Sequence, residues 1–286
     1  MSYDGDRQSN LIEGRLQQRH MAATDSAPLL SVRNVSKQFG ALAAVKDLSF
    51  DLAEGEVLGI GGPNGAGKTT LFEVISGLNP ATKGTILFSG SDITHAPPEA
   101  ICHAGIARTF QLNAGFDSLS LRDNVRVAAY FGRNNRRIPG LSIGREVEAE
   151  VDAAIAAVGL KGREHLITGQ LPVLDRKLLM LAGAIATRPK LLLMDEPVGG
   201  LNPKEIDQMM ALVASLRARG ITIVLIEHVM RFLVQLSTRV LILHHGERIY
   251  EGSPKGLVRD RTVIDVYLGE GASKRLGSLL ETPAGA

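Results

Sequence analysis

Glu56-Val57-Leu58-Gly59-Ile60-Gly61-Gly62-Pro63-Asn64-Gly65-Ala66-Gly67-Lys68-Thr69-Thr70-Leu71-Phe72-Glu73-Val74-Ile75-Ser76-Gly77 is the stretch that decides the fold. Glu56 to Gly61 reads as a short apolar strand and Thr69 to Ser76 as a helix that Gly77 stops, with a glycine-rich loop between them. The loop spacing from Gly62 to Thr69 is G-x-x-x-x-G-K-[ST], and its place between strand and helix gives the motif its mechanism. Glycines let backbone N–H groups close around phosphate oxygens, the helix start adds partial positive charge, and the lysine reaches the outer phosphates. Candidate phosphate-binding residues are therefore Gly62, Pro63, Asn64, Gly65, Ala66, Gly67, Lys68, Thr69 and Thr70, and the Thr69 hydroxyl is a candidate ligand for Mg²⁺. A chance glycine-rich turn would not carry the full spacing in this context.

Working outward, Leu30 to Val35 and Leu48 to Leu52 alternate apolar and polar residues and predict an antiparallel flap. Thr85 to Phe88 predicts a further strand, and Pro97 to Ala104 a short helix with prolines at its start. Between Leu119 and Ala186 apolar residues recur at helical spacing, as in Val147, Val151, Ile155 and Val158, with Pro139-Gly140 and Gly159 as punctuation. This predicts a helical insertion over about 112–186. Leu191 to Met194, Thr222 to Ile226 and Val240 to Leu243 return to short apolar strands, with a helix from Pro203 to Arg219 between the first two. Such alternation predicts an α/β fold on a mostly parallel sheet covered on both faces. The folded domain spans 29–270, between a disordered leader over 1–28 and a tail over 271–286.

With 286 residues, 44% of them hydrophobic, the chain can bury a sizeable core. Its longest purely apolar runs fall far short of the roughly 20 residues that span a bilayer, so any membrane role needs a partner. The net charge of +2 comes from scattered Lys and Arg without long basic blocks, which argues against a nucleic-acid partner. Cys102, the single cysteine, cannot form an internal disulfide and has no metal-ligand spacing around it; it reads as a small apolar core residue in a reducing compartment. The first 28 residues lack the apolar stretch of a secretory signal.

A second motif lies in Leu191-Leu192-Leu193-Met194-Asp195-Glu196, a buried strand that delivers two acids at its C-terminal end, where open α/β sheets bind ligands. It resembles a Walker B motif. Asp195 would support Mg²⁺, usually through water, and Glu196 would orient or deprotonate an attacking water. Standing alone, two acids before Pro197 could simply open a turn.

Gln111 and His228 stand in order around this strand, and with them the chain resembles ABC ATPases. The resemblance implies a P-loop NTPase fold of the RecA-like type, with an antiparallel β flap and a helical insertion subdomain, that binds and hydrolyses ATP with Mg²⁺. A glutamine offers its carbonyl oxygen to Mg²⁺ or water, and a histidine after the strand Ile223 to Ile226 can donate to a γ-phosphate. Catalytic roles then fall to Glu196, His228 and Gln111, and metal contacts to Thr69, Gln111 and Asp195. Phe39 resembles the aromatic that stacks on adenine in the family, where an isolated Phe would more commonly pack in a core.

Gly105-Ile106-Ala107-Arg108-Thr109-Phe110-Gln111, Gly200-Leu201-Asn202-Pro203 and Val266-Tyr267-Leu268-Gly269-Glu270 resemble, more narrowly, the importer family for branched-chain amino acids, over about Leu30 to Glu270. This implies a peripheral subunit on the cytoplasmic face of the inner (cell) membrane. Its implied partners are a second ATPase subunit, identical or not, transmembrane permease subunits and, indirectly, a solute-binding protein. Importers of amides, urea or other small solutes would present much the same ATPase.

One segment departs from the family. ABC ATPases carry an LSGGQ-like signature ahead of Walker B, often followed by Ala-Arg; here stand Leu171-Pro172-Val173-Leu174-Asp175 and then Ala182-Gly183. In the family dimer this segment contacts the γ-phosphate held by the other subunit. Pro172 removes a hydroxyl and an N–H, Val173 and Leu174 place side chains where glycine allows close approach, and Asp175 adds a negative charge that Arg176 and Lys177 could offset. Alternatively, Asp175 is the N-cap of a helix through Leu178, Leu179 and Leu181. Two readings follow. One is an ATPase subunit completed by a partner's signature in an asymmetric dimer; the other is a nucleotide-binding regulatory subunit with little turnover, against which Glu196 and His228 speak. A further reading, a soluble ABC ATPase acting on nucleic acid or ribosomes, would normally show two fused cassettes or basic extensions, whereas this sequence shows one cassette.

Overall fold

The computed structural model describes residues 27–109, 115–132 and 144–268. Gln111, Pro139-Gly140, the tail over 271–286 and all but the last two residues of the expected leader lie outside the described residues.

The described strands form two sheets. One is six-stranded, in the order β10 (Glu247–Gly252), β9 (Arg239–His244), β3 (Val57–Gly61), β8 (Thr222–Ile226), β7 (Leu191–Asp195) and β6 (Ile106–Thr109). Its neighbours pair in parallel except β10, which returns antiparallel from β9. The other is the expected flap, four-stranded and antiparallel, in the order β2 (Leu42–Leu52), β1 (Leu30–Phe39), β4 (Lys83–Phe88) and β5 (Ser91–Asp92). The helices that matter below are α1 (Lys68–Ile75), α2 (Pro98–Ala104), α3 (Leu121–Phe131), α4 (Arg145–Ala157), α5 (Val173–Ala186), α6 (Pro203–Ala218) and α7 (Met230–Leu236).

Successive side chains of a strand leave on opposite faces. Leu191, Leu193, Val224 and Ile226 enter the core beneath the flap, together with Leu71, Phe72 and Ile75 of α1. Leu192, Met194, Ile223 and Leu225 enter the core on the other face, with Val213 of α6 and Phe232 of α7. Because both faces are covered, β7 and β8 read as unbroken apolar runs, each buried side chain contributing about 1.5–3 kcal/mol. β1 shows the contrary case. Its alternation lapses after Val32 because the register slips there, with Asn34 at φ 50 in a bulge, so the strand runs on to Phe39 beyond its expected end at Val35.

Helices α3, α4 and α5 pack against one another through Leu121, Val125, Val147, Val151, Ile155 and Leu178. Outside that core Arg122 and Arg126 of α3 both pair with Glu148 of α4, and Arg122 also reaches Asp152. Two expectations need correction. Asp175 is not a helix cap: α5 starts at Val173 after extended Pro172, which places Asp175 in the first turn. Cys102 is not a core residue. It is half-buried on α2, its thiol pushed up in pKa by burial and donating to Gly132 O at 3.3 Å. Among the described residues no helix is long and apolar enough to cross a membrane.

Candidate nucleotide site

No side chain caps α1 at Gly67, so the N–H groups of its first turn are left for a ligand. Lys68, 7% exposed, folds back over the loop: its ammonium donates to Gly62 O at 2.8 Å and to Pro63 O at 2.9 Å. Burial lowers the Lys68 pKa, and the nearby acids Glu196 and Asp195 oppose that shift. An ammonium that is already short of water gains when further negative charge arrives. A cleft of about 630 Å³ opens over this turn. Its walls are residues 64–70, Glu196, and from the flap Phe39, Ala44 and Lys46. Phe39 is 45% exposed, hence not a core residue, and its ring carries the Lys37 ammonium 4.9 Å from its centroid. The flap is tied to this cleft by Lys46 N, which donates to Gly246 O at 2.8 Å, and by an ion pair from Lys46 to Glu247 at 3.1 Å.

Asp195 ends β7 almost fully buried. Its Oδ2 accepts from Arg108 Nη2 at 3.0 Å, whereas Oδ1 is buried and accepts no hydrogen bond among the described residues. Burial raises the Asp195 pKa above the usual carboxylate range against the pull of Arg108. A carboxylate oxygen without a partner and the Thr69 hydroxyl are hard donors, so the chemistry of the set suits Mg²⁺. At Glu196 the chain turns through φ 48, a conformation rare outside glycine, and the carboxylate enters the cleft. The bend is held on both sides of the residue: Glu196 N donates to Ile226 O at 3.0 Å, and Lys177 Nζ of α5 donates to Glu196 O at 2.9 Å. His228 Nδ1 lies 3.8 Å from Glu196 Oε1, within ion-pair reach but too far for a hydrogen bond.

The structure thus gathers Phe39, residues 64–70 and Glu196 in one cleft, with His228 beside Glu196 and Asp195 behind it. Gly62 and Pro63 serve through their carbonyls on Lys68. Gln111 is not described.

Sequence reasoning missed Glu227. Its side chain is fully buried, accepting from Val198 N at 2.9 Å through Oε1 and from His228 N at 3.1 Å and Val229 N at 3.2 Å through Oε2. One carboxylate therefore ties the turn after Glu196 to the start of the His228 segment, and burial pushes its pKa up. The signal was available, since an acid at the end of an apolar strand must find donors. The roles of Arg108 and Lys177 were missed because their partners, Asp195 and Glu196 O, lie far away in sequence.

In the departing segment, the Asp175 carboxylate turns away from solvent to Arg163, 2.5 Å off, rather than to Arg176 or Lys177. Arg176 donates instead to Leu171 O and Gly169 O, and Lys177 to Glu196 O. Val173 is left exposed at the start of α5. Asn202, the family-like position after Gly200-Leu201, acts locally and caps α6 in a reciprocal box with Glu205, followed by Pro203.

A phosphate-binding turn opening a helix between parallel strands, an acidic strand end beside it and a flap over the cleft define a nucleotide-hydrolysing cassette. Residues 45–199 match the family model described as ABC transporter, and the chain belongs to that family as one of its ATP-binding subunits, which are ATPases coupled to transport. It is 35% identical over 253 residues to the high-affinity branched-chain amino acid transport ATP-binding protein BraF of Pseudomonas aeruginosa, covering 86% of this chain and 99% of that protein. The corresponding protein LivG of Escherichia coli K12 is 34% identical over 253 residues, with the same coverage. Among solved structures, a nucleotide-free ATP-binding cassette from an ABC transporter superposes with a TM-score of 0.77 at 28% identity, covering 85% of this chain and 100% of that one. Another such cassette in its ADP conformation gives a TM-score of 0.77 at 28% identity, over 86% of this chain and 100% of that one.

Proposed function

We propose that this chain energises an importer of branched-chain amino acids or related small solutes, binding ATP with Mg²⁺ and hydrolysing it at the cytoplasmic face of the cell membrane. The observation that carries the reading is the cleft in which the uncapped start of α1, Lys68 and Glu196 come together. The solute class rests on the similarity to BraF and LivG over nearly their whole length. Residues 29–270 act as one ATPase domain with its helical subdomain over about 112–186.

In this reading Phe39 stacks on adenine, residues 62–70 wrap the phosphates, and Lys68 leaves the two loop carbonyls for the β- and γ-oxygens. Thr69 and Asp195, with Gln111, would hold Mg²⁺, which would supply charge neutralisation of the phosphate oxygens. Glu196 takes a proton from water as the water oxygen attacks the γ-phosphorus. The bond to the β–γ bridging oxygen breaks, and ADP leaves with that electron pair while His228 donates to a γ-oxygen.

The partners are a second ATPase subunit and membrane-spanning permease subunits. We place the permease on a largely apolar cleft of about 490 Å³ between α2, α3, α5 and β6, where Leu78, Phe116 and Phe131 are exposed. Segment 171–175 lacks several signature donors, so the composite site it would complete on a partner turns over slowly, and the partner is a different subunit with an intact signature. The tethering of Asp175 to Arg163 reduces the charge penalty there without restoring those donors. The test is co-purification with membrane partners, reconstitution in vesicles and ATP-driven uptake of labelled leucine, isoleucine or valine. A complex that hydrolyses ATP without accumulating any small amino acid or amide would overturn the solute class; one without turnover would favour the regulatory subunit.

A further inference from the structure

Arg108 is a full cation set in a sheet of apolar strands, and its place follows from register. β6 pairs in parallel with β7 with Arg108 opposite Leu193, and Leu193 faces the core that holds α1. Asp195, two residues beyond Leu193, leaves on that same face, diagonally within reach of a long side chain. The two side chains are 8% and 2% exposed and meet at 3.0 Å, Arg108 Nη2 to Asp195 Oδ2. Arg108 Nη1 also donates to Ser76 Oγ at 3.4 Å, at the C-terminal end of α1, and the guanidinium lies 5.7 Å from the centroid of Phe72, also on α1. One side chain therefore links the strand end that carries the acid to the helix whose start carries Lys68 and Thr69. Of the two Asp195 oxygens, Arg108 engages one and the other is buried with no hydrogen bond among the described residues. The planar fork of an arginine fixes a carboxylate in orientation as well as position, which a flexible ammonium does less well.

We propose that Arg108 is a positioning residue for the divalent cation: it pins Asp195 through Oδ2 in the frame of α1 and reserves Oδ1 for Mg²⁺ or its bound water. The inference rests on the nucleotide site proposed above. Arg108 makes no phosphate contact in it, so its loss acts on the metal-dependent part of binding.

The experiment measures ATP affinity of the full chain by calorimetry across a Mg²⁺ titration and in EDTA, for the wild type, Arg108→Gln, Arg108→Lys and Asp195→Asn. Arg108→Gln should raise the Mg²⁺ half-saturation at least about tenfold while affinity in EDTA changes far less, and Arg108→Lys should recover part of the loss. In the Asp195→Asn background, Arg108→Gln should add little, because both changes remove the same interaction. Wild-type Mg²⁺ half-saturation in Arg108→Gln, or equal losses with and without Mg²⁺, overturns the proposal. Should Arg108→Gln fail to fold because Asp195 is left buried without its counter-charge, Arg108→Lys decides: half-saturation raised about threefold or more supports the role, and an unchanged value overturns it. A wild-type chain that binds no ATP would defeat the nucleotide reading itself, whereas ATP binding indifferent to Arg108 defeats only this inference.

Discussion

Gly62 and Gly65 both lie at positive φ in the phosphate-binding turn, 143° and 78°, yet an added methyl meets different surroundings at each. At Gly62 a Cβ would stand 2.2 Å from Leu243 O at the end of β9, whereas at Gly65 nothing lies within 4 Å. A carbon and a carbonyl oxygen approach to roughly 3.3 Å, so Gly62→Ala must part β3 from β9 by about 1 Å. Overpacking of this kind costs about 1–3 kcal/mol, and the unfavourable backbone conformation about 1–3 kcal/mol more. Gly65→Ala carries only the left-handed backbone cost, about 1–2 kcal/mol. For a domain of this size 1 kcal/mol shifts the melting temperature by about 2–4 °C. Gly62→Ala should therefore melt about 4–24 °C below the wild type and Gly65→Ala about 2–8 °C below it, with Gly62→Ala the more damaged of the two by calorimetry and urea unfolding. Equal destabilisation, or the reverse order, would refute the reasoning, because Gly62 adds the clash with Leu243 O to a backbone cost at least as large as that at Gly65.

Lys68→Ala should weaken ATP binding by tenfold or more in calorimetry through loss of the charge beside the outer phosphates; unchanged affinity would contradict the place given to this lysine. Glu196→Gln should retain Mg-ATP and nearly abolish turnover of the assembled complex, while the matching change in the partner subunit costs little; equal losses from the two single variants would remove the asymmetry. Glu227→Gln tests a buried acid whose native pKa lies above its unfolded value. Between those two values the native state retains a proton that the unfolded state has lost, so wild-type stability falls as pH rises. The glutamine variant does not titrate, and its stability relative to wild type should improve as pH rises from the ordinary glutamate range; a pH-independent difference in urea unfolding would show that Glu227 is not strained by burial.

Local chemistry made the central sheet legible. Apolar runs at 191–194 and 222–226 could only be strands covered on both faces, and the glycine loop fixed where the first strand and helix meet. What escaped was set by partners distant in sequence. The edge strand β6 is four residues long with a charge inside it, and that charge is tolerable only because Asp195, far along the chain, lies on the same face. β10 carries Glu247, Arg248 and Glu251 and hides its strand character at an exposed edge. The charge of Asp175 looked aimed at a partner's phosphate because nothing nearby in sequence identifies Arg163 as its mate. Glu196 and His228 were visible as types, but the left-handed bend that presents Glu196 depends on tethers from Ile226 and Lys177.

Lys177 also bears on how two sites would converse. It stands on α5, a helix of 14 residues whose first turn begins in segment 171–175, and it holds the carbonyl of Glu196 in its own site. In the proposed pair of ATPase subunits, that first turn would face the nucleotide of the neighbour. A displacement of α5 caused by the neighbour's occupancy then reaches Glu196 through a single hydrogen bond, and by reciprocity the state of Glu196 is felt at the neighbour's phosphates with the same coupling free energy. ATP saturation of the assembled pair should deviate from that of two independent sites, and cutting the tether with Lys177→Met should bring the curve back toward independence.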